Sequence, residues 1–317
     1  MSYRHKELAN IKWFAIIDSV LVTQCYVKKE ITQMKVLMFN QAGQEKQLTL
    51  DSFTFSGGEE HVRFNPEQFV DVVKIEIFER LTSSSHTIRL MMMVDALRRM
   101  VGPKVPMELV IPYFPYARQD RVCVEGEALG VAVMADIINS LSFDKVTIWD
   151  AHSDVTPALI NNVINVPQLT LLKQCSDLTK ILAVGGLTLV SPDAGASKKT
   201  MKIAEAFSNK SEVFQAQKVR DLKTGKIIKT QIDDDVAGKD ILIADDICDG
   251  GRTFIELAKV LKQNGAKKIT LFITHGIFSK GLDVFDGLID VIYTTDSIRA
   301  KQEFEQTKTV QLNIIEM

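Results

Sequence analysis

The sequence is poor in the features that would identify a secreted, membrane-spanning or nucleic-acid-binding protein. Its four cysteines, among 317 residues, form no CxxC or Cys/His pair, which fits neither a disulfide framework nor a zinc site and favours a reducing compartment. The net charge is −2 at pH 7, so no broad basic field is available to hold a nucleic acid. The first apolar stretch, Ile11 to Val22, is interrupted by Lys12 and Asp18, and no apolar run reaches the length of a membrane span. We therefore expect a cytoplasmic protein with no membrane or nucleic-acid partner.

The sequence does contain many short apolar runs that alternate with amphipathic stretches. Hydrophobic residues make up 46% of the chain and charged residues 25%, as in a soluble globular protein. Apolar runs of strand length predict strands at 107–112, 145–149, 188–190, 240–244 and 268–273, and helical apolar spacing predicts helices at 130–141, 199–207 and 253–264. This strand–helix–strand repetition favours an α/β fold with mainly parallel sheets and helices on both faces.

Two such halves meet near residues 155–170, where Thr156-Pro157 and Val166-Pro167 interrupt the pattern. We therefore predict an N-terminal domain of residues 1–160 and a C-terminal domain of residues 161–317. The first fifty residues have a β-rich pattern at Trp13 to Val27 and Met34 to Phe39. Residues 220–240 are rich in Lys and Asp, which predicts an exposed, mobile segment.

The most informative segment runs from Asp245 to Thr253. A buried-strand run ends in two carboxylates, Asp245 and Asp246, and the pair Gly250-Gly251 then leads into a helix. Glycines let backbone N–H groups approach a phosphate, and a helix N-terminus favours an anion. Carboxylates at the end of a strand can hold ribose hydroxyls or a Mg²⁺ ion. A tight turn with solvated aspartates is the simpler alternative, but the joint pattern favours a ribose-phosphate site.

This segment resembles the ribose-phosphate loop of type I phosphoribosyltransferases and of ribose-phosphate pyrophosphokinase (PRPP synthetase). Several further segments, in the same order along the chain, resemble the pyrophosphokinase in particular: Phe55–Glu59, Met93–Arg99, Ile111–Arg121 (its ATP-site signature), Trp149–His152, Ser191–Gly195 and Thr274–Phe278. The resemblance extends from about residue 53 to about residue 300. We therefore identify the chain as a divergent member of that family.

The resemblance implies two type I phosphoribosyltransferase-like domains, each a mainly parallel sheet with helices on both faces. It also implies a homo-oligomer in which neighbouring subunits share the ATP site. The implied reaction depends on Mg²⁺ and moves the β,γ-diphosphoryl group of ATP to the anomeric hydroxyl of ribose 5-phosphate, which gives PRPP and AMP. Phosphoryl transfer of this kind needs a metal ion, cationic side chains and in-line placement rather than covalent help from the protein.

The motifs also carry over residue roles. The implied ATP-binding residues are Phe55, Glu59, Arg118, Gln119 and Asp120, with the first two reaching the adenine bound to a neighbouring subunit. The implied catalytic residues are His152, Lys218 and Arg220, the last two on a mobile loop. His152 and Asp193 would lie near Mg²⁺. The implied ribose-phosphate residues are Asp193, Asp245, Asp246, Asp249, Gly250, Gly251, Arg252 and Thr253.

The same loop departs from the family pattern at two positions. The hydroxyl that the family carries at position 250 is absent, and Arg252 adds a cation. A side chain at Arg252 that points to solvent is the simpler reading, while a larger acceptor such as ADP-ribose, in an NAD-related salvage reaction, is the sharper hypothesis. A non-catalytic regulatory paralogue and a phosphoribosyltransferase are further alternatives. The retained Lys218 and Arg220 argue against the former, and the ATP signature argues against the latter.

Overall fold

The computed structural model describes residues 34–220, 227–305 and 307–316, apart from the side chains of residues 218–220 and 227–229. The predicted strand at Trp13 to Val27 lies outside this part of the chain. No helix among the described residues has both the length and the apolar content that crossing a bilayer requires.

Eight of the strands in the described part of the chain precede residue 170. They are β1 (Met34–Asn40), β2 (Glu45–Gln47), β3 (Leu50–Thr54), β4 (Glu60–Phe64), β5 (Val72–Glu79), β6 (Met107–Ile111), β7 (Lys145–Trp149) and β8 (Val163–Val166). Six of them form one sheet in the order β2-β1-β5-β6-β7-β8, in which β5 to β8 are parallel and β1 pairs antiparallel with both of its neighbours. The remaining two, β3 and β4, pair as a separate antiparallel hairpin.

Eight more strands follow among the residues that the structure describes. They are β9 (Thr188–Ser191), β10 (Val213–Gln215), β11 (Gln217–Arg220), β12 (Ile227–Gln231), β13 (Asp240–Cys248), β14 (Lys268–Gly276), β15 (Val291–Thr295) and β16 (Gln311–Ile315). Six of them form a wholly parallel sheet in the order β10-β9-β13-β14-β15-β16. The prediction of two mainly parallel α/β sheets is confirmed.

Helices connect most of the parallel strands. They are α1 (Ser84–Val101), α2 (Gly130–Ser140), α3 (Val155–Leu159), α4 (Gln168–Leu172), α5 (Ser176–Ala183), α6 (Ala194–Ala206) and α7 (Arg252–Gln263), with short 3-10 turns at Pro66–Gln68, Asp283–Phe285 and Lys301–Glu303. Helix α7 illustrates how apolar spacing in the sequence predicts a helix. Its buried residues, Phe254, Leu257, Ala258 and Leu261, recur at the spacing of one helical face. Gly265, just past its end, has a φ of 86°, a conformation suited to glycine.

Three details of the sequence prediction were wrong. Helix α6 begins five residues earlier than Lys199, because the Asp193 side chain accepts a hydrogen bond from the Ala196 amide and caps the helix. Strand β13 continues four residues past Ala244 through its two carboxylates, since its backbone stays paired with β14 as far as Cys248. The segment at 220–240 is exposed at residues 233–235, as predicted, but β12 within it pairs with β11, and Ile232 and Val236 are buried in the core, so the prediction of exposure was wrong at those two residues.

The two sheets share a packed boundary. One of the three apolar clusters contains Trp149 from the first sheet together with Leu242 and Phe272 from the second. Strand β8 extends the first sheet to Val166, six residues beyond the predicted domain boundary at residue 160. The boundary itself stays a prediction, but this packing brings the ends of β7 and β13 close together.

Candidate active site

Two adjacent carboxylates of β13 lie at the boundary between the sheets. The Oδ2 atom of Asp246 lies 2.6 Å from Nδ1 of His152, which follows β7 of the first sheet. Asp246 is only 7% exposed, whereas Asp245, its neighbour along the strand, is partly buried. His152, which the resemblance implies is catalytic, therefore contacts the carboxylate pair directly.

Burial and mutual charge separate the two carboxylates in pKa. Burial, reinforced by the charge of Asp246, raises the pKa of Asp245 from 3.8 to about 8. Burial also tends to raise the pKa of Asp246, but the hydrogen bond from His152 and the charge of Lys199 outweigh it and hold that pKa well below its ordinary value. The same hydrogen bond to Asp246 raises the pKa of His152, against the effect of burial. The opposite directions of these two shifts place the negative charge of the pair on Asp246, beside His152 and Lys199.

A buried framework fixes the base of this site. Thr274 Oγ1 donates to Asp150 Oδ2 at 2.6 Å, and Gln168 Nε2 donates to the same carboxylate at 3.0 Å and to the Asp245 carbonyl at 2.7 Å. The Lys199 ammonium lies 2.8 Å from Asp150 Oδ1. Burial alone would lower the pKa of Lys199, but the carboxylates of Asp150 and its neighbours raise it, so the ammonium stays charged.

Sequence reasoning missed most of this framework. Gln168 and Asp150 are 18 residues apart in sequence, and the other bonds of Gln168 and Thr274 in this framework join residues 77 or more apart, which a local pattern does not register. Lys199 stands in a Lys-Lys pair that reads as a solvated helix face. His275, which could have belonged to the site or to the core, is buried and bonds the Trp149 carbonyl at 3.0 Å and the Ser297 hydroxyl at 2.9 Å. It is therefore a core residue behind the site.

The predicted ribose-phosphate loop follows β13 directly and leads into α7. Gly251 has a φ of 75°, and a methyl group on its Cα would lie 2.5 Å from Phe285 Cζ, so only glycine fits there. Gly251 takes the N-cap position of α7, and no side chain caps the helix. The first-turn amides are therefore left available to an anion. Arg252 and Thr253 occupy that first turn, with the Arg252 side chain exposed.

The ATP-site signature of the first half lies against this loop. Nη1 of Arg118 lies 3.2 Å from Oδ2 of Asp249, and both side chains are about half exposed. The Ser279 hydroxyl donates to the other Asp249 oxygen at 2.7 Å. These two bonds, that of Ser279 first, lower the pKa of Asp249. The structure therefore brings predicted nucleotide and ribose-phosphate residues into direct contact.

The other predicted ATP-binding residues divide into two groups. Gln119 packs its side chain against Gly130 at the start of α2, and Asp120 lies close enough to His152 to favour the charged imidazole. Phe55 and Glu59 close the turn of the β3–β4 hairpin, where the Phe55 amide donates to the Glu59 carbonyl at 2.8 Å. Within the described residues no hydrogen bond or ion pair joins that turn to Arg118.

The remaining predicted residues are Asp193, at the proposed metal site, and Lys218 and Arg220, on the predicted mobile loop. Asp193 is near enough to Asp245 to raise its pKa, while one of its oxygens caps α6. Among the described residues, no group of three or more His, Cys, Asp or Glu side chains forms a metal cluster. The backbone at Lys218 and Arg220 lies in β11, but their side chains lie outside the described part of the chain.

Comparison with known proteins supplies an independent test. A model described as the N-terminal domain of ribose phosphate pyrophosphokinase matches residues 37–141, and one described as a phosphoribosyl synthetase-associated domain matches residues 191–317. Ribose-phosphate pyrophosphokinase from Mycoplasmopsis pulmonis is 30% identical over 237 residues, covering 73% of this chain and 71% of that protein. The chain belongs to the ribose-phosphate pyrophosphokinase family.

One further relative agrees with this membership, and one solved structure shares the fold. Ribose-phosphate pyrophosphokinase from Thermococcus kodakarensis is 31% identical over 214 residues, which cover 67% of this chain and 72% of that protein. The crystal structure of phosphoribosylpyrophosphate synthetase from Mycobacterium smegmatis matches with a TM-score of 0.69 at 21% identity, over 85% of this chain and 86% of that one. At that identity the second match supports the fold alone. The resemblance read from the motifs is therefore confirmed at the level of the family.

Proposed function

We propose that this protein is an ATP-dependent ribose-phosphate diphosphokinase that makes PRPP and AMP from ribose 5-phosphate and ATP. The observation that carries the proposal is the contact between Arg118 of the ATP-site signature and Asp249 of the ribose-phosphate loop, 3.2 Å apart. Diphosphoryl transfer needs its two substrates side by side, and this contact joins their two signatures. The names of the curated relatives support the same activity.

In the proposed reaction the anomeric hydroxyl oxygen of ribose 5-phosphate attacks the β-phosphorus of ATP. A new C1–O–P linkage forms, the bond between the β-phosphorus and the bridging α,β-oxygen breaks, and AMP leaves with that oxygen. The hydroxyl proton is released. The first turn of α7 holds the 5-phosphate, and Asp245 and Asp246 face the ribose hydroxyls. Lys218 and Arg220 stabilise the negative charge that develops on the transferring group.

The proposed cofactor is Mg²⁺, and the chemistry of the site is compatible with it. Mg²⁺ is held in such sites by one or two carboxylates plus substrate phosphates, rather than by a cage of protein ligands. Asp193 supplies a carboxylate of this kind close to Asp245. Histidine is a less usual Mg²⁺ ligand, and Nδ1 of His152 is bonded to Asp246. In this proposal the Nε2 side of the His152 ring would therefore lie toward the ion. Bound there, Mg²⁺ would neutralise charge on the ATP phosphates.

We also propose that the protein assembles as a homo-oligomer with a shared ATP site in the cytoplasm. The β3–β4 hairpin supports the shared site, because Phe55 is 41% exposed and carries an aromatic group suited to stacking on a base. Phe53, Phe55 and His61 form one aromatic group on this hairpin, with ring centroids 4.8 to 5.7 Å apart. In the oligomer, the aromatic group of one subunit would reach the ATP bound to the neighbouring subunit.

The test is acceptor-dependent AMP formation by the purified protein with ATP and Mg²⁺. Ribose 5-phosphate, ribose, ADP-ribose and no acceptor would be compared in parallel, with AMP and the ribose product measured by chromatography. We expect AMP and PRPP in equal amounts with ribose 5-phosphate and neither product without an acceptor. Absence of AMP with every acceptor would favour a non-catalytic paralogue. Selective use of ADP-ribose would show that ADP-ribose, and not ribose 5-phosphate, is the acceptor.

A further inference from the structure

We propose that Lys280 supplies a cation to the phosphate held by the ribose-phosphate loop and thereby sets the affinity of this chain for its phosphorylated acceptor. This inference rests on the proposed function for the identity of the acceptor. It adds a residue from outside the loop, on the turn that follows β14.

Lys280 lies over the glycine that distinguishes this loop. A methyl group placed on the Cα of Gly250 would lie 3.5 Å from both Cδ and Cε of Lys280, which is ordinary van der Waals contact. The aliphatic part of the lysine therefore covers the position where another residue at 250 would project its own side chain. The charged end of Lys280 lies beyond that contact, on the exposed surface of the loop.

The backbone holds Lys280 in this place. The amides of Ile277 and Phe278 both donate to the Cys248 carbonyl, at 2.9 and 3.1 Å, and the Ser279 amide donates to the Asp249 carbonyl at 3.1 Å. The turn closes with a bond of 2.9 Å from the Gly281 amide to the Phe278 carbonyl. Because these bonds join the turn to the end of β13, the position of the Lys280 backbone is fixed relative to the phosphate loop.

The charges around Lys280 favour an anionic ligand. Its ammonium makes no hydrogen bond or ion pair with any described residue, although it is close enough to Asp249 to lower the pKa of that carboxyl. Asp249 itself is already engaged by Arg118 at 3.2 Å and by Ser279 at 2.7 Å. The uncapped start of α7 is at Gly251, the next residue in sequence after the Gly250 that Lys280 covers. An anion bound at those amides would give the Lys280 ammonium a charged partner that the protein does not provide.

The experiment measures steady-state kinetics and binding for Lys280→Met, Lys280→Arg and the control Lys259→Met. Lys259 is a matched control because it lies on α7, two turns beyond the loop, is half exposed and, among the described residues, pairs only with Glu256 at 3.2 Å. We expect Lys280→Met to raise the KM for ribose 5-phosphate about tenfold, which corresponds to about 1.4 kcal/mol, with the KM for ATP changed less than about twofold. Lys280→Arg should retain most of the affinity, and Lys259→Met should behave as the wild type.

Calorimetric titration of ribose 5-phosphate into each variant, in the absence of nucleotide, gives a readout that does not depend on turnover. If the wild type binds ribose 5-phosphate but forms no AMP, the proposed function fails while the role of Lys280 is still tested by this titration. A KM and a dissociation constant for ribose 5-phosphate within twofold of wild type in Lys280→Met would overturn the inference. Equal losses for ATP and ribose 5-phosphate would overturn it as well, because they would indicate a general structural effect.

Discussion

Replacing Arg80 should weaken the boundary that builds the site. Arg80 follows β5 in the first sheet and is 4% exposed, and its Nη2 lies 2.6 Å from Oδ2 of Asp296, which follows β15 in the second sheet. Its Nε also donates to the Asp296 carbonyl. Arg80→Met would leave the buried Asp296 carboxylate without its guanidinium partner.

The expected magnitude follows from the burial of the pair. Removing one member of a buried ion pair costs about 3–5 kcal/mol, whereas replacing both members by apolar residues is often close to neutral. With an m-value of about 3 kcal/mol per molar urea, a loss of about 3 kcal/mol lowers the unfolding midpoint by about 1 M. The double variant Arg80→Met/Asp296→Leu should regain most of that loss, because the Asp296 carboxylate is then no longer buried without its guanidinium.

Urea unfolding followed by tryptophan fluorescence would measure these differences. Trp149 is a suitable probe, because it packs in the cluster shared by the two sheets. Arg63→Met is the control: its guanidinium forms an ion pair with Asp51 at 3.0 Å, but the two side chains are 71% and 60% exposed. Such a surface pair contributes about 0–1 kcal/mol. A midpoint for Arg80→Met equal to that of Arg63→Met, or a double variant less stable than Arg80→Met, would refute this account of the boundary.

Three further predictions concern the site itself. Burial raises the folded-state pKa of Asp245 from 3.8 to about 8, so the wild type loses stability as pH rises between those values. Asp245→Asn should therefore be more stable than wild type at pH 9, measured by urea unfolding without divalent cations. This gain in stability should shrink toward pH 4. A pH-independent gain would contradict this reasoning. Gly251→Ala should lower the free energy of unfolding by at least about 2 kcal/mol and abolish activity, because φ is 75° there and the new methyl group would lie 2.5 Å from Phe285. Gly238 has a similar φ of 70° but open space around it. Gly238→Ala should therefore lower the free energy of unfolding by about 1 kcal/mol and leave activity intact. Equal losses in the two glycine variants would show that the contact has no effect. Lys218→Ala should lower kcat far more than ATP affinity, because the side chain is proposed to act in the transition state. Equal losses in kcat and in ATP affinity would indicate a ground-state role instead.

The local elements were predictable where one sequence pattern determines one structure. Helix α7 was predicted to within one residue at each end, because its apolar spacing and the following Gly265 both act locally. The end of β13 was missed because two adjacent carboxylates usually mark the end of a buried strand. Here His152 and Lys199 neutralise Asp246, and both come from other elements.

The candidate site was predictable in its ligand class but not in its supporting contacts. Glycines beside a helix start and acids at a strand end indicate a phosphate and a sugar by their own chemistry. The contact of Arg118 with Asp249 joins residues 131 apart, and the position of Lys280 depends on the pairing of its turn with the end of β13. Such contacts follow from the packing of the two sheets, which no local pattern contains.

The central claim is that the β- and γ-phosphates of ATP move together to the acceptor, and one labelling measurement tests it most directly. The protein would be incubated with Mg²⁺, ribose 5-phosphate and ATP labelled at the β-phosphorus, and the labelled products separated. We predict that the label appears in the diphosphate of PRPP and that AMP is unlabelled. Label recovered in ADP, or transfer of the γ-phosphate alone, would contradict the proposed reaction.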